Sequence, residues 1–348
     1  MRNSVLNVMI RRNIMNILNL MVGAGLSAAF ALGGTGSTLA QDYPTKTVRF
    51  VAGAPVGSAV DVVVRALADE MARRTGQSFV QENIPGGRQV PTVLEVKNAN
   101  PDGYTLLVAT QNAITINPLT IEDLPYDPLK DLVPITRVVN QQHVVTFRGP
   151  EGTDWENWTY DDLVEYSIEN PDKIFFGSNG NGSSAHLSFV WQMNESGATF
   201  THVPYRDGLT QPFLSGQINL IQGSVSQEVE EWYNSGFAKP LAAPSHLTGL
   251  PDVPSFDEVF GEEYAFAPWT GLFAPADTPE PVIERLRDLV EEIMGDEAFV
   301  ERYVIPAGLH PAPTDSGDEF RTYLEAQIPA YRDLLVQAGV EVVEETSR

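Results

Sequence analysis

Two rhythms of apolar residues alternate along this chain. Thr47-Val48-Arg49-Phe50-Val51-Ala52 and Tyr104-Thr105-Leu106-Leu107-Val108-Ala109 are short, almost continuous apolar runs, which predict buried strands. Val62 to Arg74 and Gln89 to Asn98 instead read as helices. Gly76 ends the first helix, Phe79-Val80 opens another strand, and Pro101-Asp102-Gly103 marks a turn. The order strand, helix, strand, helix, strand predicts a parallel sheet with right-handed crossovers. In such sheets ligands sit beyond the carboxyl ends of the strands. Two stretches lie at such ends: Gly53-Ala54-Pro55-Val56-Gly57-Ser58-Ala59-Val60-Asp61, and Thr110-Gln111-Asn112.

The pattern repeats further on. After an extended run over 133–147 and a helix over 158–168 capped by Thr159, Ile174-Phe175-Phe176-Gly177 reads as a strand. It leads into the small-residue turn Ser178-Asn179-Gly180-Asn181-Gly182-Ser183-Ser184 and a helix carrying His186. Further strands are expected over 199–205, 218–221 and 240–243, the first two followed by Arg206-Asp207-Gly208 and Gln222-Gly223-Ser224. Trp269 to Ala274 reads as a strand returning to the first unit, with Trp269 as a packing residue. Strong helical spacing follows over 280–294, then one or two helices over 318–338. The whole predicts an α/β protein of two lobes with a cleft between them: 41–143 plus 265–348 as lobe 1 and 144–264 as lobe 2.

The first 40 residues change the compartment. Arg2, Arg11 and Arg12 precede an apolar stretch from Ile14 to Leu32, and Thr38-Leu39-Ala40 supplies a small-residue cleavage site. This reads as a secretory signal peptide, with a periplasmic destination. Cysteine is absent, so disulfides, thiol nucleophiles and cysteine metal sites are excluded. The formal net charge is −24, and losing the three leader arginines makes the mature chain more negative still. Nucleic acid is a poor partner for such a surface. An anionic ligand would be held by local N–H donors and helix starts, against the long-range field.

Both glycine- and serine-rich turns suit that task. Ser58 is placed to cap its helix, with Asp61 as a shortened capping-box acid. Candidate ligand contacts in the first lobe are Ala54, Pro55, Val56, Gly57, Ser58, Asp61, Thr110, Gln111 and Asn112. In the second they are Ser178, Asn181, Gly182, Ser183, Ser184, His186, Tyr205, Arg206, Gly223 and Ser224. The histidines show no metal-ligand spacing, and no metal or other cofactor is expected. His143, His202, His246 and His310 read as structural or exposed. A serine hydrolase built on Ser183 or Ser184 with His186 lacks the G-x-S-x-G elbow.

These motifs in this order resemble the substrate-binding proteins of tripartite tricarboxylate transporters, the Bug family of periplasmic solute receptors. The resemblance rests on Gly53 to Asp61, Glu82-Asn83-x-Pro85-Gly86, Pro101 to Leu107, Leu124 to Asp131, Ser178-x-Gly180-x-Gly182-Ser183-x-x-His186-Leu187, His202-Val203-Pro204-Tyr205, Leu250 to Pro254, and Gly271 to Pro279. It implies a monomeric two-lobed flytrap that closes on a small di- or tricarboxylate or aromatic acid, gripped by one carboxylate at the Gly53 to Asp61 loop. Cargo would pass to a membrane permease of two integral subunits. A secreted carboxylate sensor reporting to a membrane kinase is the competing reading. Three departures from the family pattern bear on cargo: Val56 in place of a glycine, Arg206-Asp207 in place of a lysine, and neutral Gln222-Gly223-Ser224 in place of an acid. Arg206 either makes a bidentate contact with a carboxylate or pairs with Asp207.

Overall fold

Two sheets organise the chain, and the crossings between them define where a ligand can sit. The computed structural model describes residues 43–205, 208–247, 249–261, 264 and 266–343. The leader expected over 1–40, and Arg206 with Asp207, lie outside the described residues. In the first sheet β1 (Val48–Ala52) runs parallel to and between β2 (Phe79–Asn83) and β3 (Thr105–Thr110). β4 (Leu132–Gln141), β10 (Trp269–Pro275) and β11 (Leu309–Pro311) complete it with antiparallel pairings, in the order β11-β4-β10-β3-β1-β2. The parallel part is the one the strand–helix rhythm predicts; β11, three residues long, carries no periodic signal and is not foreseen.

The second sheet has the order β7-β6-β8-β5-β9. Its strands are β5 (Val144–Phe147), β6 (Phe175–Ser178), β7 (Thr201–Pro204), β8 (Leu220–Gly223) and β9 (Lys239–Ala242). The chain crosses from one sheet to the other between β4 and β5 and returns between β9 and β10. This is the two-lobed α/β architecture expected from the sequence.

Helices cover the sheets by burying one stripe each. α1 (Ala59–Thr75) buries Val60, Val63, Val64, Leu67 and Met71, and shares a core with β1 and with the later helix over 280–294. α2 (Val90–Lys97) packs Val93 and Val96 on the opposite face, against Val51 and Leu107. In the second lobe α3 (Tyr160–Glu169) starts with a capping box between Thr159 and Asp162, and α4 (Ser184–Ser196) buries Leu187 and Phe189 against Phe176. α5 (Glu280–Met294) buries Val282, Ile283, Leu286, Leu289, Val290 and Ile293, all at helical spacing.

The last helix, α6 (Gly317–Gln337), divides its length between two cores. Phe320 and Leu324 pack with Trp269 and Phe273 of the first sheet. Tyr331, Leu334 and Leu335 pack with Phe147, Phe176 and Leu187 of the second. Pro329 stands between the two halves. Trp269, fully buried as a packing residue, donates from Nε1 to Gln327 Oε1 at 3.0 Å and ties β10 to this helix.

Candidate functional site

The first loop is held in shape from beneath. Gly53 follows β1 where a Cβ would sit 2.5 Å from the side chain of Gln89, so any larger residue would displace Gln89. Gln89 brackets this loop to the end of β3. Its Nε2 donates to Thr110 Oγ1 at 3.1 Å, and its Oε1 accepts from Thr110 N at 3.2 Å. Ser58 caps α1, its Oγ accepting from Asp61 N at 3.3 Å.

Asp61 is a brace beneath the loop. The residue is 3% exposed, and Oδ2 accepts from Gly57 N at 2.9 Å. Oδ1 accepts from Arg65 at 2.9 Å, Gln81 at 2.6 Å and Asn83 at 2.8 Å. Burial pushes the carboxyl up, but bonds from Gly57, Asn83 and Arg65 outweigh it and hold it below the usual range. The capping-box expectation needs correction. Ser58 N donates to Pro55 O at 3.2 Å, so the carboxylate takes the Gly57 amide instead. Asn83 also donates to Ala54 O at 2.9 Å, which fixes the buried start of the loop. Pro55, Val56 and Gly57 are exposed, Val56 by 75%. With Asp61 N and Val62 N both bonded to Ser58, Ala59 and Val60 keep the first-turn amides of α1 that lack an intrahelical acceptor.

The end of β3 reaches across to the second lobe. Thr110 is half-buried, Asn112 exposed, and Gln111 only 1% exposed. Gln111 Nε2 lies 3.5 Å from Ser184 Oγ, at the first turn of α4. Its Oε1 is buried with no hydrogen-bond partner. Ser224, exposed beyond β8, approaches the first lobe in the same way: a Cβ at Gly308 would lie 3.4 Å from the Ser224 Cβ. Gly223 is half-buried and pairs with Val144, while Gln222 turns inward and accepts from Gln192 at 3.3 Å.

The second loop mirrors the first. Ser183 caps α4 by accepting from His186 N at 3.4 Å. Gly182, at φ 73°, takes a left-handed conformation that a side chain resists. Its N–H donates to His186 Nδ1 at 3.0 Å, so that amide is spent on the protein itself. His186 is 4% exposed; burial and the neighbouring His202 push it down to about 4, so it is neutral. Ser178 is buried, and its hydroxyl donates to Gly180 O at 3.0 Å. Ser184 and Ala185 retain first-turn amides of α4. Asn181 is exposed, and Tyr205 is half-buried with its N–H on Ser178 O at 2.9 Å.

Of the expected contacts, Gln111 and Ser184 are thus brought together across the lobes. Gln81, Asn83, Gln89 and His202 support these loops without having been singled out as site residues. Asn83 and His202 had a sequence cue, inside the Glu82-Asn83-x-Pro85-Gly86 and His202-Val203-Pro204-Tyr205 motifs; Gln81 and Gln89 had none. A cavity of about 530 Å³ beside the β4–β5 crossing, lined by Asn140, Gln142, Asp257, Tyr264 and His310 among others, is bordered by none of the expected residues. Among the described residues no group of three metal-ligating side chains forms, and no helix is long and apolar enough to cross a membrane.

The model of the tripartite tricarboxylate transporter family receptor matches residues 63–326. The protein BugT of Bordetella pertussis is 27% identical over 338 residues, covering 94% of this chain and all of its own. The solved periplasmic binding protein BugD is 27% identical with a TM-score of 0.63, covering 86% of this chain and 99% of its own. A protein of R. palustris solved with adipate is 24% identical with a TM-score of 0.69, over 86% of this chain and 99% of that one. MatC of Rhodopseudomonas palustris, solved with malate, is 23% identical with a TM-score of 0.62, over 84% and 100%.

Proposed function

The chain belongs to the tripartite tricarboxylate transporter receptor family, and from that premise we propose that it captures a small organic carboxylate between its lobes, without turnover, and delivers it to a membrane permease. The observation that carries this reading is the pair of serine-capped helix starts, α1 from the first sheet and α4 from the second, joined at their margin by Gln111 and Ser184. Each start offers two unspent first-turn amides, at Ala59 and Val60 and at Ser184 and Ala185, with the positive end of a helix dipole behind them. One carboxylate at each end makes a dicarboxylate the natural cargo. The adipate and malate held by two structural relatives are of that class. Short-range amide donors also suit a chain of net charge −24, whose long-range field repels the cargo.

The leader read over 1–40 and the periplasmic relatives support an extracytoplasmic site of action. Lobe 1 would comprise 41–143 and 265–348, and lobe 2 would comprise 144–264. Titration calorimetry of the mature protein against malate, adipate, citrate and benzoate tests the reading. Saturable one-site binding of a dicarboxylate is expected. Absence of heat and of thermal stabilisation with all four acids would overturn it.

A further inference from the structure

The turn 178–184 rests on two histidine rings that sit 16 residues apart in sequence. The rings of His186 and His202 stack with centroids 3.9 Å apart and planes 12° from parallel. Phe176 stacks on His202 at 4.8 Å. Each histidine serves a different glycine of the turn. His186 Nδ1 accepts from Gly182 N at 3.0 Å. His202 Nε2 lies 2.7 Å from Ser178 Oγ, which in turn accepts from Gly180 N at 3.2 Å. The 2.7 Å contact is the shortest that Ser178 Oγ makes, closer than Gly180 O at 3.0 Å, and it ties the hydroxyl to the His202 ring. Neutral His186, with Nδ1 accepting, carries its proton on Nε2. Among the described residues, the groups that stack on or hydrogen-bond to the two rings are Phe176 and Ser178 from β6, Gly182 from the turn, and each other; none of these carries a charge.

We propose that His202 is a positioning residue for the ligand turn: it fixes Gly180 through Ser178 and, by stacking, holds the His186 ring where it captures the Gly182 amide. The proposal rests on the reading that this turn grips a carboxylate. With the Gly180 and Gly182 amides pinned inward, the turn delivers the Ser184 and Ala185 amides in one fixed arrangement. That pre-organisation lowers the cost of binding.

His202→Phe keeps a ring in the stack and removes the hydrogen-bonding nitrogen; His202→Gln keeps a hydrogen-bonding group and removes the ring. Hydrogen exchange of individual amides is measured in both, together with malate and adipate affinity. In His202→Phe, Gly180 is expected to exchange at least tenfold faster. In His202→Gln the larger change falls on Gly182. The amides of β1 and α5 remain as in the wild type in both. Affinity for whichever acid the wild type binds falls about tenfold in each. Unchanged exchange at both glycines overturns the positioning role, whatever the wild type binds. Altered exchange in a protein whose wild type binds neither acid upholds the positioning role and counts against the carboxylate reading. If one variant fails to fold, the other still decides the assignment through its own glycine.

Discussion

Asp61 collects bonds from Gly57, Arg65, Gln81 and Asn83 on one buried carboxylate. Asp61→Ala strands those donors, Gln81 and Asn83 of them half-buried, and is expected to cost about 3 kcal/mol. Arg65→Ala removes a half-exposed partner and should cost less than about 1 kcal/mol. Urea midpoints at unchanged slope measure both, and equal losses would contradict the assignment of Asp61 as the central brace. His186 predicts a pH effect. Its folded value, pushed down to about 4 by burial and by His202, lies below the ordinary 6.5. Above 6.5 neither state holds the proton, so the group has no effect. Between 6.5 and about 4 the unfolded chain takes up a proton that the folded chain refuses, so stability falls as pH falls. The loss from this group reaches roughly 3 kcal/mol and levels off below the folded value. His143, also pushed down to about 4 by burial, acts in the same direction. Denaturation midpoints at pH 7.5 and 4.5 check the trend, and His186→Phe should flatten it by its own share.

At the scale of elements, the two helix starts were legible because each condition is local. A buried apolar run, small residues, a serine and then 3.6-residue spacing suffice to place α1 and α4; Ser58 caps α1 as read, and Ser183 proves to cap α4. Replacing either cap by alanine should cost about 1 kcal/mol in a denaturant titration. Gly182→Ala should cost about 1–2 kcal/mol more than an alanine at exposed Asn181, because only Gly182 sits at positive φ. What the sequence concealed is partnership. Periodicity shows that 317–337 buries a stripe, yet not that Leu324 and Leu334 enter different cores. Gln89 and Thr110, 21 residues apart, meet only because β1 and β3 are neighbours. His202 looked like an ordinary strand histidine, since nothing in its local sequence announces a ring stacked on α4.

Across the molecule, the described chain passes between the lobes at the β4–β5 crossing, at the β9–β10 return and along α6. The helix and the residues just after it also approach the turn 178–184, since a Cβ at Gly182 would meet Leu335 at 3.4 Å and Val340 at 3.6 Å. Leu334→Ala or Leu335→Ala should therefore lose about 2–5 kcal/mol, as buried leucines do. Only the Leu335 variant should also loosen the Gly182 amide in hydrogen exchange. The same helix settles whether the halves of this receptor are separable merchandise. A fragment of residues 144–264, complete in its own strands, would be cut away from Tyr331, Leu334 and Leu335 and would carry a raw apolar scar where they pack. Such a fragment is expected to be recovered from cells as aggregate. Supplying residues 317–343 as a separate peptide should bring it into solution, and a soluble, cooperatively melting fragment without the peptide would refute the claim. Modular as the two sheets look, the last stretch of chain makes them a joint tenancy.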